Sequence, residues 1–138
     1  MADILYWHNS EVRQIVDRTH LDGSLRIVFS AASVQRHAPG EAVAVSGFVK
    51  PLELVLLQAR FEGVLTECLG GLADAELHVG SSGSDGMRGL SSLPLPWDTR
   101  LAVRLVLAFR NGSTCSAWSL GASCEAGPDA RFIESYAC

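Results

Sequence analysis

Between Tyr6 and Val12 the chain places an indole (Trp7), an imidazole (His8), an amide (Asn9), a hydroxyl (Ser10) and a carboxylate (Glu11) in succession. These are the groups of nucleophilic hydrolysis, in which a hydroxyl attacks, an imidazole takes its proton and a carboxylate orients the imidazole. That chemistry requires base and nucleophile within hydrogen-bonding reach. In an extended chain His8 and Ser10 share a face while Glu11 points to the other, and second neighbours lie about 6.5–7 Å apart at Cα. The spacing permits a Ser–His contact without building one, and the Gly-x-Ser-x-Gly elbow that exposes a hydrolase serine is absent. A structural role fits the run better. The indole can plug one end of a core with its N–H on a carbonyl, Asn9 and Ser10 can bond local backbone groups, and His8 can satisfy a turn or an edge. No residue is therefore assigned a catalytic role. The candidate binding residues are Trp7, His8, Ser10, Glu11 and Trp97, because a pocket combines aromatic walls with a few polar groups.

The elements that would position these side chains follow a period of two. Leu25, Ile27, Phe29 and Ala31 alternate with Arg26 and Ser30, which predicts a half-buried strand. Asp22-Gly23 ahead of it predicts a turn, so residues 12–19 are expected as the partner strand. A short helix competes there, since Val12, Ile15 and Val16 also fit helical spacing. Leu52, Leu54 and Leu56 alternate with Glu53, Val55 and Leu57, predicting a central strand with two apolar faces. Gly70-Gly71 interrupts the next run, in which Ala75, Leu77 and Val79 alternate, and residues 66–69 suit a short helical turn. The clearest pattern is Leu101, Val103, Leu105, Leu107 and Phe109, followed by Asn111-Gly112 and a return through Cys115, Ala117 and Ser119. Asn-Gly predicts a two-residue type I′ hairpin, which also explains the glycosylation-like Asn111-Gly112-Ser113. A last strand is expected over residues 131–136. The fold class predicted is all-β: a single antiparallel domain over residues 1–138, sandwich or partly closed barrel, of about seven to nine strands with at most one short helix.

Residues 80–96 are rich in Gly, Ser and Pro and have no period, which predicts a flexible loop, either a plain connection or a lid. Within it, Leu93, Pro94, Leu95, Pro96 and Trp97 form an extended apolar run expected to pack on the sheet.

Totals narrow the function classes. The chain has 138 residues, 48% hydrophobic and 19% charged, with a formal charge of −4. That is the composition of a folded globular domain without a basic field for phosphate or anionic lipid, so neither nucleic acid nor membrane is an expected partner. Lys50 is the only lysine among eleven basic residues, and these are scattered. The opening residues lack a basic head and apolar core, so no secretory signal is read there. Cys68, Cys115, Cys124 and Cys138 are accordingly expected as thiols in a cytoplasmic protein. Cys115 is expected in the core, Cys138 exposed, and Cys124 lies in a polar turn region. No Cys-x-x-Cys occurs, and His8, His20, His37 and His78 form no ligand-like pairs, so neither metal nor other cofactor is expected.

Trp7-His8-Asn9-Ser10-Glu11-Val12, followed by a strand and an apolar strand ending Val28-Phe29-Ser30-Ala31, resembles the opening of small, largely uncharacterised bacterial β-proteins. These begin Trp-His, then Asp or Asn, Ser or Ala, any residue, and Ile, Val or Leu. The likeness spans about the first thirty residues. Some of these proteins resemble immunity factors paired with toxins, which implies a protein partner. Asn9 stands where aspartate is more usual, so a role resting on that carboxylate does not transfer. Residues 131–138 resemble the endings of other bacterial proteins, with no activity attached.

Two classes of function are therefore expected. The first is a non-enzymatic protein-interaction module, such as one of immunity or inhibitor type, working through a sheet face or edge or as a homodimer. Its acidic residues, among them Glu41, Glu53, Glu62, Glu67, Asp74 and Glu76, would meet a basic partner. The second is a small-molecule binder or enzyme with a pocket at one end of the sheet.

Overall fold

The structure, a computed structural model, describes residues 2–40, 42–80 and 87–135. Among the described residues there are twelve strands, one 3-10 turn at Leu65–Glu67 and no α-helix. The strands are β1 (Ala2–Tyr6), β2 (Glu11–Arg18), β3 (Ser24–His37), β4 (Val45–Leu56), β5 (Arg60–Glu62), β6 (Gly70–Gly80), β7 (Met87–Leu90), β8 (Ser92–Leu95), β9 (Trp97–Thr99), β10 (Ala102–Phe109), β11 (Thr114–Ser119) and β12 (Ala122–Glu134). They form one antiparallel sheet in the order β5-β11-β10-β6-β2-β3-β4-β12-β9, with β1 paired to β3 and β8, and β7 paired to β6. No described helix is long and apolar enough to cross a membrane.

The all-β antiparallel class is as predicted, with two corrections. Twelve strands stand where seven to nine were expected, and the sheet is open, its path ending on β5 and β9. The surplus comes from β5, β7, β8 and β9, each of three or four residues, too short for an alternating pattern to announce. Two of these lie in the stretch expected to be a flexible loop. Residues 81–86 fall outside the described residues, but β7 pairs with β6 and β8 with β1, and Leu93 is fully buried. Backbone pairing with neighbours orders residues 87–95 of this segment, which side-chain periodicity could not reveal.

One cluster of buried side chains draws on both halves of the path. Leu25, Ile27 and Phe29 of β3 and Leu52, Leu54 and Leu56 of β4 share it with Leu77 of β6, Val103, Leu105 and Leu107 of β10, and Cys115 of β11. A single sheet can bury both halves in one core only by bending over on itself, and the bend has a location. Buried apolar positions in β3 are odd-numbered through Phe29 and even-numbered from Ala32; in β4 they are odd through Val49 and even from Leu52. The ladder pairs Phe29 with Leu52 and Ala32 with Val49, and skips the residues between. Register shifts fall at the same level in the flanking strands, beside Val12 in β2 and between Ala126 and Arg131 in β12. Bulges bend strands, and Pro51, which has no N–H for a ladder, lies among them. Four strands thus break step along one line, creasing the sheet. Strands that bend in this way turn the corner between packed layers. On the Ser24 side of the crease β3 is flanked by β2; on the His37 side it is flanked by β1, which pairs Leu5 with Val34.

Two turns set the hairpins. Residues 12–18 form strand rather than helix, and β2 returns as β3 through Gly23, whose φ of +80° suits glycine. The β10–β11 hairpin differs from its prediction by one residue. Gly112 N–H donates to Phe109 O at 3.0 Å, Gly112 has φ +91°, and Phe109 N–H donates to Ser113 O at 2.9 Å. This is a type I turn followed by a left-handed glycine, a three-residue loop in place of the two-residue type I′ form.

Candidate functional site

The polar run near the start of the chain lies at the crease, in the link that carries the chain from β1 to β2. It is a turn, not extended chain. Ser10 N–H donates to Trp7 O at 3.1 Å, and Asn9 has φ +68° at the third turn position, where Asn is tolerated. The turn separates the side chains that an extended reading puts on one face. His8 is exposed, Ser10 fully buried. Among the described residues no hydrogen bond joins His8 to Ser10 or Glu11.

Ser10 closes a gap in the sheet. Opposite Ser33 of β3, β1 has ended and β2 has not begun, so the Ser33 N–H has no strand to meet on that side. The Ser10 hydroxyl accepts that N–H at 2.9 Å and donates its own proton to Tyr6 O at 2.7 Å. Its carbonyl accepts the Leu72 N–H at 2.9 Å, tying in β6. A buried backbone donor without a partner is costly, so this serine serves as a rung of the ladder. Its proton already rests on a carbonyl, which leaves no free hydroxyl for attack.

Outside this rung the crease forms an open groove of about 570 Å³. Its floor is the outer face of β1, β3 and β4, with Tyr6, Ser33, Gln35, Ser46 and Phe48. Its rim is the β1–β2 turn, with His8, Asn9 and Glu11, and the tip of the β10–β11 hairpin, with Arg110. The arginine is held in place by backbone: its N–H donates to Gly71 O at 2.9 Å. Its arm lies along Gly71, where a Cβ would sit 3.2 Å from Arg110 Cδ. The guanidinium makes a long 3.4 Å contact with Asn9 Oδ1 and no ion pair among the described residues. The Glu11 carboxylate instead accepts the Ser30 hydroxyl at 2.8 Å. The groove therefore presents a cation with no ion-pair partner among the described residues and a carboxylate on its rim, above a floor of hydroxyl and amide groups and two aromatic rings.

The predicted residues divide. His8, Ser10 and Glu11 line this groove; Trp7 and Trp97 do not. Trp7 is buried in the core beside Phe29, ring centroids 6.5 Å apart, and its indole N–H has no acceptor among the described residues, which corrects the expected carbonyl contact. Trp97 pairs with Cys124 on the far side of the crease and packs on the core. Cys124 itself is fully buried in β12 rather than lying in a polar turn, and Cys138 falls outside the described residues. Arg110, Gln35 and Ser46 had not been singled out. Arg110 flanks the Asn-Gly turn, but it meets Asn9 from 101 residues away, a juxtaposition that only the topology supplies. Among the described residues no three His, Cys, Asp or Glu side chains gather as a metal would require.

A second, more apolar concavity of about 420 Å³ lies at the opposite end of β3, lined by Val103, Trp118 and Leu120, with the Arg60 guanidinium 5.4 Å from the Trp118 ring centre. Comparison of the chain with protein-family models, curated proteins and solved structures found no match.

Proposed function

We propose that the protein is a non-enzymatic protein-interaction module, and that the groove at the crease receives an extended polar segment of its partner. The lining carries this reading. Pockets for small organic ligands are mostly apolar and enclosed, whereas this groove is open and floored by Ser33, Gln35 and Ser46, which can exchange hydrogen bonds with a peptide backbone. Phe48 offers apolar contact, and Arg110 offers a charge-assisted bond to a carbonyl or carboxylate of the partner. The likeness of Trp7 to Val12 to the opening of immunity-like proteins supports the same class. The outer edge of β12 beyond Cys124 carries no partner strand among the described residues and would serve a homodimer; the groove is the favoured face because its polar lining fits an extended segment. The free thiols Cys68, Cys115 and Cys124 accord with a cytoplasmic setting. One observation favours a second reading, a small polar ligand in the same groove: its volume of about 570 Å³ falls within the usual range for ligand sites.

Capture from the native cell tests this with three baits: the wild-type chain, Arg110→Glu in the groove, and Leu120→Ser at the far end. A protein held by wild type and Leu120→Ser but lost with Arg110→Glu supports the proposal. A protein lost only with Leu120→Ser refutes it, and a small molecule that co-purifies and is displaced by Arg110→Glu transfers the groove to the second reading.

A further inference from the structure

Cys68 follows the 3-10 turn, and Cys115 is the second residue of β11. Both are free thiols, 0% and 2% exposed. The turn lies against the start of β11, so closely that a Cβ on Gly63 would come within 3.3 Å of Cys115 Cα. The Cys68 thiol reaches the carbonyl oxygen of Thr114 at 3.5 Å, and Cys115 is the next residue, its side chain beside that of Cys68. Cys124 is equally buried but has no thiol beside it among the described residues.

We propose that Cys68 and Cys115 are a reversible dithiol–disulfide site, oxidised by a low-molecular-weight disulfide. Cys68 is the attacking thiol. Among the described residues, the turn that precedes it is held by the half-buried Leu65 and the Asn111 bond to Glu67 O alone, and Val64 and Leu69 beside it are exposed, so a local opening brings it to solvent. The Cys68 thiolate displaces one thiolate from the oxidant, which leaves as a thiol after taking a proton, and a mixed disulfide remains. Cys115 then loses its proton and attacks the Cys68 sulfur, releasing the second thiol. Two electrons pass from the pair to the oxidant, and one S–S bond is exchanged for another. Burial holds both thiols above their ordinary range, Cys115 at about 12, so exchange is slow with the turn closed and proceeds when it opens. The link would clamp the turn to the hairpin whose Asn111 Nδ2 already donates to Glu67 O at 2.8 Å, steadying the rim that carries Arg110.

The test is incubation of the folded chain with oxidised glutathione, followed by mass spectrometry. The expected product is a monomer whose peptide map carries a Cys68–Cys115 cross-link, those two peptides together lighter by two hydrogens, with Cys124 free and any glutathione confined to Cys138. It should revert on reduction and melt at least about 5 °C above the reduced form. Cys115→Ala should instead stop at a glutathione adduct on Cys68. Should that variant fail to fold, the wild-type map alone decides. A native chain that keeps both thiols reduced, or links either of them to Cys124, overturns the proposal.

Discussion

Ser10→Ala removes one oxygen from a fully buried site and leaves two backbone groups to be satisfied. The Ser33 N–H loses its acceptor at 2.9 Å, with no strand beside it to take over. A buried donor left unpaired costs about 1–3 kcal/mol. Tyr6 O loses a donor at 2.7 Å, but as a carbonyl paired opposite Ser92 it keeps a neighbour, so only about 0.5–1.5 kcal/mol is lost there. The sum is about 1.5–4.5 kcal/mol. With a urea slope of about 2 kcal/mol per molar, the unfolding midpoint followed by tryptophan fluorescence should fall by about 1–2 M with the slope unchanged. His8→Ala, two positions away, removes an exposed ring and should change stability by less than about 0.5 kcal/mol. If Ser10→Ala costs under about 0.5 kcal/mol, or His8→Ala costs as much as Ser10→Ala, then Ser10 is not the rung that bridges β1 and β2.

Gly47→Ala should destabilise by about 1–3 kcal/mol, because its Cβ would strike the Ile133 carbonyl and the Phe132 ring, whereas Gly127→Ala meets nothing within 4 Å and should be near neutral; denaturant midpoints of the two variants make the comparison. The Asp22 carboxylate accepts the Ser24 hydroxyl first and the Ser24 N–H second, which lowers its pKa below 3.8. Its contribution to stability should therefore be complete above about pH 4 and be lost as the pH falls through the lowered value. A carboxyl NMR titration should find Asp22 below the ordinary aspartate range, and an unshifted value contradicts the turn geometry. Burial pushes the Cys124 thiol up to about 12. It should ignore a thiol reagent in the folded chain and react on unfolding; the neutral thiol stabilises the fold below pH 9, an effect lost as the pH rises toward about 12.

The legible part of this fold is the part where side-chain alternation runs long. The strands through Leu25 to Phe29, Leu52 to Leu56 and Val103 to Phe109 could be placed from residue types alone, because their inner faces carry an apolar residue at every second position. The crease was hidden by the same rule. Ala31 continues the odd-numbered pattern of Leu25, Ile27 and Phe29, yet burial passes to Ala32 and Val34, since the bend shifts the phase and nothing in composition marks it except Pro51. Short strands such as β7 and β9 owe their form to a neighbour's backbone and so leave no pattern. The candidate site was half legible. His8, Ser10 and Glu11 stood out as chemically capable, but their roles depend on a turn that buries one and exposes another. Arg110, Gly71 and Ser33 come from distant strands and meet only after the sheet has folded over.

The central claim is that the groove between the β1–β2 turn, β3, β4 and the Arg110 hairpin is the binding face. Backbone amide NMR of the chain, titrated with the partner that wild type captures, tests it most directly. Shifts concentrated at Ser33, Gln35, Ser46, Phe48 and Arg110 are the predicted result. Shifts concentrated at Leu57, Leu101, Trp118 and Leu120, with the groove unmoved, would contradict it.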